Sequence, residues 1–224
     1  MEKVAANCIE TVSGRYIDLL NPTVDQIDVA DFAWALSRMP RYAGHTLTAL
    51  PYTVGQHSIV VTGLIERLMT QVSSPQRTSF YELTGFRQEI ANYITPIQLM
   101  HGLMHDASEG YLLDLPTPLK NLPGMKEAYG AIEDKMMRAI WQKLGLAEPD
   151  TVTRDVIKWA DRYALTVEAH HLMKSRGTNW THVLELDMVA VQDFELPTSP
   201  IHIYQQFMQL YDRLGGDIAS MGNK

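Results

Sequence analysis

An all-α domain of about five to seven helices, carrying a small N-terminal β-hairpin, is the fold class the sequence predicts. Apolar residues recur at i, i+3, i+4 and i+7 through most of the 224 residues. Several of these stretches open on a hydroxyl or carboxylate that can cap a first turn, twice with proline directly after it. Strand-forming residues gather only near the start and in a less regular segment after Met173.

Near the start, "CIETVSGRYIDLL" places β-branched residues on either side of Ser13-Gly14, a hairpin signal. From Asp28, a potential cap, Val29, Phe32, Ala33 and Leu36 form a helical stripe that Pro40 stops. The next helix begins with Thr53 and Gln56 at capping-box spacing, and its stripe is His57, Val60, Val61, Leu64 and Leu68. Residues 73–92 are mixed in polarity and read as an insertion. Thr95, Pro96 and Gln98 repeat the start signal for a third helix, whose inward side is Ile97, Met100, His101, Met104, His105 and Ser108. That helix should fray by Asp114, because Pro116 and Pro118 cannot donate and restrict the residues before them. A fourth helix runs from Met125 to Leu144 with Met125, Tyr129, Ile132, Met136 and Ile140 inward and Gly145 ending it. A fifth covers Thr153 to about Met173. Ser199-Pro200 opens the last, with Ile201, Tyr204, Met208 and Tyr211 on one side. The whole, residues 1–224, reads as one domain with a C-terminal extension from about 174.

Composition narrows the function. The net charge of −7 and the lack of a Lys/Arg run argue against a nucleic-acid partner. A small phosphate ester stays open, because a cation and a few local charges can reverse the field in a pocket. No apolar run approaches the roughly 20 residues of a membrane span, and the N-terminus lacks a secretory pattern. With a single cysteine, Cys8, a cytoplasmic location is expected. Any metal must then be held by His and carboxylates.

Three polar intrusions into apolar faces call for an explanation: His57, His105-Asp106 and Asp161, the last with Ile157, Ala164 and Leu165 around it. A buried unpaired carboxylate costs several kcal/mol or protonates. A divalent ion held by two imidazoles and two carboxylates explains all three together and leaves positions for water and substrate. Blander readings stand beside it: His57 as a hydrogen-bonded core residue, and Asp161 as an ion-pair partner of Lys158 or Arg162. His101 and His105, spaced i, i+4, could also bind zinc, but Gly102 stands where a zinc-protease helix has glutamate.

The order His57, His105-Asp106, Asp161 resembles the H…HD…D signature of the HD-domain metal-dependent phosphohydrolases. The blocks "SRMPRYAGHT", "YTVGQHS", "LMHDASEGYLLDLPTPLK" and "VIKWADRYALTVEA" are similar to those of bacterial 5'-deoxynucleotidases and phage dATP triphosphohydrolases, over about residues 9–173. The resemblance implies a compact HD-type helical bundle with His57, His105, Asp106 and Asp161 as metal ligands. It makes Glu109 the general acid/base for the attacking water, Arg41 a phosphate contact that also balances charge in the transition state, Asp114 a sugar contact and Lys120 an assistant at the phosphate. Tyr42 stands where the monophosphatase branch has tryptophan, and His45 is given a substrate-side role. Without the resemblance, Glu109 is an exposed helix glutamate, Arg41 a solvated loop charge and Asp114 a turn residue.

The expectation is a deoxynucleotide phosphohydrolase, foremost a dATP triphosphohydrolase releasing deoxynucleoside and triphosphate, with a 5'-deoxynucleotidase as the alternative. A non-catalytic, metal-stapled nucleotide-binding module is the competing class, and a plain helical interaction protein without metal a third. Mixed imidazole and carboxylate donors favour Co, Mn, Zn, Fe or Ni over Mg alone, with Mg accompanying the phosphates. A homo-oligomer, dimer or hexamer, is implied by resemblance.

Overall fold

A computed structural model describes residues 5–71, 94–181, 183–184 and 194–215. The expected insertion at 73–92 lies outside the described residues, as do 182, 185–193 and 216–224 of the expected extension.

Among the described residues the chain is helical apart from one hairpin and an isolated bridge between Pro40 and Thr53. Strands β1 (Cys8–Glu10) and β2 (Tyr16–Asp18) pair antiparallel with Ile9 opposite Ile17. Gly14 at φ +83° makes the turn, a conformation that a side chain resists. The hairpin is tied down by Asp31, a buried carboxylate that accepts bonds from Thr11 Oγ1, Ser13 Oγ and Ser13 N at 2.7–3.1 Å. Asp31 belongs to α1 (Val29–Leu36), which Asp28 caps by accepting from Ala30 N. Phe32, Ala33 and Leu36 are fully buried, as the apolar spacing predicts.

Helix α2 (Val54–Gln71) starts where expected, but only half of the box forms. Thr53 Oγ1 accepts from Gln56 N, while the Gln56 amide turns away to the carbonyls of Glu195 and Leu196. At α3 (Pro96–Met104) the other half forms, with Gln98 Oε1 accepting from both Thr95 N and Thr95 Oγ1 while Gln98 N donates to the Thr95 carbonyl. The third helix departs from expectation at its far end. It stops at Met104, and His105 to Ser108 pass through i→i+3 turns before a single further turn, α4 (Glu109–Leu112). Ile97 is exposed, so the inward face of α3 is Leu99, Met100, Leu103 and Met104.

A short turn, α5 (Thr117–Lys120), follows, and α6 (Met125–Leu144) has the expected bounds, closed by Gly145 in the left-handed region. Its inward face differs at the start: Met125 is exposed and Tyr129 and Ile132 are half-buried, whereas Met136, Met137, Ile140 and Leu144 are buried. Among the described residues the first two turns of α6 meet the short segment before them, where Tyr129 Oη donates to the Leu113 carbonyl. Helix α7 (Thr151–Leu172) starts two residues early because Asp150 caps it through Thr153 N. In α8 (Pro200–Arg213) the buried stripe is Ile203, Phe207 and Tyr211, not Ile201, Tyr204 and Met208. Phe207 meets Phe32 edge-to-face, and that contact selects the face.

Two apolar clusters result. One joins the hairpin, α1, α3, α6 and α8; the other joins α2, α7 and the start of α3. The polar residues of α2, α3 and α7 stand where these helices meet. No helix among the described residues is long and apolar enough to cross a membrane.

Candidate metal centre and adjoining cavity

Close helix packing brings the donors together. A Cβ on Gly102 would lie 2.5 Å from Ile65 Cδ1, so glycine lets α3 press against α2. The Gly102 carbonyl also accepts from His105 Nδ1 at 2.8 Å. On the other imidazole, His57 Nδ1 meets the Glu168 carboxylate Oε1 at 2.6 Å. With both Nδ1 atoms donating, the neutral form of each ring presents a lone pair at Nε2.

Those two Nε2 atoms are buried without a hydrogen-bond partner. They converge on Asp106, whose Oδ2 lies 3.1 Å from His105 Nε2 and 3.9 Å from His57 Nε2. The ligand atoms of His57, His105 and Asp106 all lie within 4.8 Å of one another. Donors about 2.1 Å from a common ion stand roughly 3–3.5 Å apart, so His105 and Asp106 already have that spacing and His57 would have to draw in by a few tenths of an ångström or more to share a divalent cation with them. Asp161 brings Oδ1 to 3.1 Å from His57 Nε2, an ion-pair contact that favours the charged form of each group. His57 is thus not a satisfied core histidine, and Asp161 turns to it rather than to Lys158 or Arg162. His101 stays outside the group, edge-on to Trp141, with its pKa lowered by burial.

Burial and Arg41 push the His57 ring down, yet Glu168 and Asp161 prevail and raise its pKa to about 9. A cation seated at Nε2 would have to replace that proton. Burial opposes the ionisation of Asp106, but His105, His57 and Arg41 hold it well below the usual carboxylate range.

Arg41 and Tyr42 come from the turn Arg41–Gly44, pinned beside α2 by bonds from Arg41 N to Tyr52 O and from Val54 N to Met39 O. Tyr42 and Ala43 take φ of 56° and 50°, costly for non-glycine residues and often found at functional sites. The strained turn aims Arg41 inward: its Nε donates to Glu168 Oε2 at 3.2 Å and its Nη1 lies 3.7 Å from Asp106. The reading of Arg41 as a solvated loop charge is therefore corrected, since the side chain is only 13% exposed.

A cavity of about 550 Å³ opens beside the donors. Arg41, Asp106, Glu109, Asp114, Lys120 and Asp161 line it together with apolar and aromatic groups: Tyr42, Leu115, Pro116, Pro118, Leu165 and Trp180. Glu109 is buried rather than an exposed helix residue. Its Oε1 accepts from Lys120 Nζ at 3.1 Å, and its Oε2 has no partner. Burial, then Asp106 and Asp114, raise its pKa to about 8 against the pull of Lys120. Asp114 is raised by burial as well. His45 is exposed at the end of its turn and does not line this cavity, so no substrate-side position is found for it.

Two residues escaped the sequence reading. Glu168, fully buried, accepts from His57, Tyr52, Arg41 and Tyr42. It lies seven residues after Asp161, hence two turns along the same face, a spacing that could have revealed it. Trp180 packs at 6.0 Å from the Tyr42 ring and lines the cavity from the expected extension, where no periodic pattern pointed to it.

No family model matches the chain. Over 209 residues it is 32% identical to the uncharacterized protein YfdR of Escherichia coli (strain K12), covering 92% of this chain and 94% of that protein. Over 163 residues it is 30% identical to the uncharacterized protein RCAP_rcc00048 of Rhodobacter capsulatus, covering 72% of this chain and 70% of that one.

Proposed function

We propose that this chain, which belongs to the same family as YfdR of Escherichia coli, is an HD-type metal-dependent phosphohydrolase acting on deoxynucleotides. The preferred substrate class is a deoxynucleoside triphosphate, dATP foremost by the resemblance of the sequence blocks. The observation that carries the reading is the pair of buried, unpartnered imidazole Nε2 atoms converging on Asp106 beside a cavity that also holds a half-unsatisfied glutamate. Structural histidines are normally hydrogen-bonded with good geometry at both nitrogens; here each Nε2 instead faces carboxylate oxygens, the nearest at 3.1 Å.

His57, His105 and Asp106 would hold a divalent ion, with Asp161 completing the set. When bound, such an ion polarises a phosphoryl oxygen and lowers the pKa of a coordinated water. Arg41 would bind phosphate oxygens through its guanidinium fork. Glu109, with a pKa near the working range, can take a proton from the attacking water. Attack at the α-phosphorus breaks its bond to the 5′-oxygen, which leaves as the deoxynucleoside hydroxyl after gaining a proton, while the triphosphate gains the water oxygen. Lys120 holds Glu109 in place and adds a positive charge at the same wall. Tyr42 and Trp180 give the cavity the aromatic surface that a nucleobase needs.

The test is product analysis with each dNTP and dNMP in the presence of Co, Mn, Zn, Fe, Ni or Mg. Release of deoxynucleoside and tripolyphosphate is expected. Release from monophosphates alone would move the assignment to a 5'-deoxynucleotidase. Nucleotide binding without turnover under every metal would leave a binding module and sink the enzymatic reading.

A further inference from the structure

Glu168 is the most heavily engaged side chain in the site, yet it does not line the cavity. Its Oε1 accepts from His57 Nδ1 at 2.6 Å and Tyr52 Oη at 3.0 Å; its Oε2 accepts from Tyr42 Oη at 2.6 Å and Arg41 Nε at 3.2 Å. Four donors fill the acceptor capacity of one carboxylate. Each oxygen has one tyrosine hydroxyl and one nitrogen, and the two nitrogens belong to groups with different work: His57 turns its free Nε2 to the metal-binding cluster, and Arg41 lines the cavity. Through this one carboxylate Glu168 joins three segments, the Arg41–Gly44 turn, Tyr52 and α2.

We infer that Glu168 is a positioning residue that locks the metal-facing edge of His57 and the phosphate-facing guanidinium of Arg41 to each other through a single carboxylate. The inference rests on the metal-and-phosphate reading above. A fixed Nδ1–H···carboxylate bond sets the His57 tautomer and makes Nε2 a better donor to a cation. The same carboxylate fixes Arg41 at Nε and leaves the terminal nitrogens, of which Nη1 lies 3.7 Å from Asp106, on the side that would meet an anion. Removal of the charge should therefore weaken metal and phosphate binding together, although Glu168 touches neither.

Glu168→Gln tests this, because a carboxamide has one acceptor oxygen and must present its NH₂ to either His57 Nδ1–H or Arg41 Nε–H. Purified wild type and variant, each shown folded by circular dichroism, are titrated with Co²⁺ alone and followed by calorimetry and by the visible ligand-field bands. A loss of roughly 10–100-fold in Co²⁺ affinity with altered bands is expected. Tyr52→Phe is the control: it removes a Glu168 partner that is neither ligand nor arginine, and should lower Tm while leaving Co²⁺ affinity intact. Equal Co²⁺ affinity in wild type and Glu168→Gln, or equal weakening in Tyr52→Phe, overturns the inference while leaving the metal reading intact. Failure of the wild type to bind Co²⁺ overturns both. If Glu168→Gln does not fold, Glu168→Asp takes its place, since the shorter side chain keeps the charge but cannot reach both nitrogens; unchanged affinity there is the overturning result.

Discussion

The wall of the site built on α7 and the wall built on α4 each bury a glutamate, and the two carboxyls are driven in opposite directions. Glu168 is 0% exposed and Glu109 4%, so depth does not separate them. Burial raises both, but Glu168 has Arg41, His57 and two tyrosine hydroxyls and falls to about 2. Glu109 has Lys120 on one oxygen, nothing on the other and two acids nearby, and climbs to about 8. A fully satisfied buried acid serves to hold neighbours in place. A half-satisfied one beside a cavity is available to exchange a proton.

The comparison can be broken most severely by Glu109→Gln, which keeps shape but removes proton exchange. Turnover should fall by about 10²–10⁴-fold while Co²⁺ affinity stays near wild type. Preserved turnover in a steady-state assay would remove Glu109 from its role.

Gly110→Ala probes the same wall from behind. The added Cβ would sit 2.7–3.0 Å from the Cβ, carbonyl oxygen and Cα of Phe32, so α4 must move away from α1. A stability loss of about 1–3 kcal/mol is expected in urea titration, together with reduced turnover because Glu109 moves with the helix. A stable, fully active variant would show that the α1–α4 contact does not position Glu109.

The two acids also predict opposite pH signatures in metal-free protein. For Glu109 the folded pKa lies above the unfolded value of 4.5, so its contribution is complete below about pH 4.5 and is lost as pH rises through about 8. For Glu168 the folded pKa lies below 4.5, so its contribution is complete above 4.5 and is lost as pH falls toward 2. Chemical denaturation across pH should show Glu109→Gln flattening the alkaline side and leaving the acid side unchanged. The reverse pattern would mean that the two environments have been interchanged. The smallest effect is Thr53→Ala, the loss of a helix cap one turn from His57: about 1 kcal/mol in Tm analysis with metal affinity retained.

Local signals carried most of the elements. Thr95-Pro96-Gln98 and Asp28 start helices as their capping chemistry dictates, and Gly145 ends one in the left-handed region. The stripe of α8 differs because its apolar residues cover more than one face, and the packing of that helix on α1, through Phe32, and on α2, beside Gly55, decides which is buried. At the site, His57, His105, Asp106 and Asp161 were legible because each is polar on an apolar face. Glu168 was not singled out, since its partners lie at least 111 residues away in sequence.

The residue pattern by itself therefore determined an all-α chain with a hairpin, the main helix limits, and which polar side chains stand on faces that must be buried. These follow from spacing and capping, which act within a few residues. Only the tertiary structure decided that His57, His105 and Asp106 converge, that Glu109 loses a partner while Glu168 gains four, and that Trp180 reaches the cavity. Those outcomes depend on how closely helices approach and which donors meet across them, and side chains separated by many residues along the chain acquire a shared environment only once it has packed.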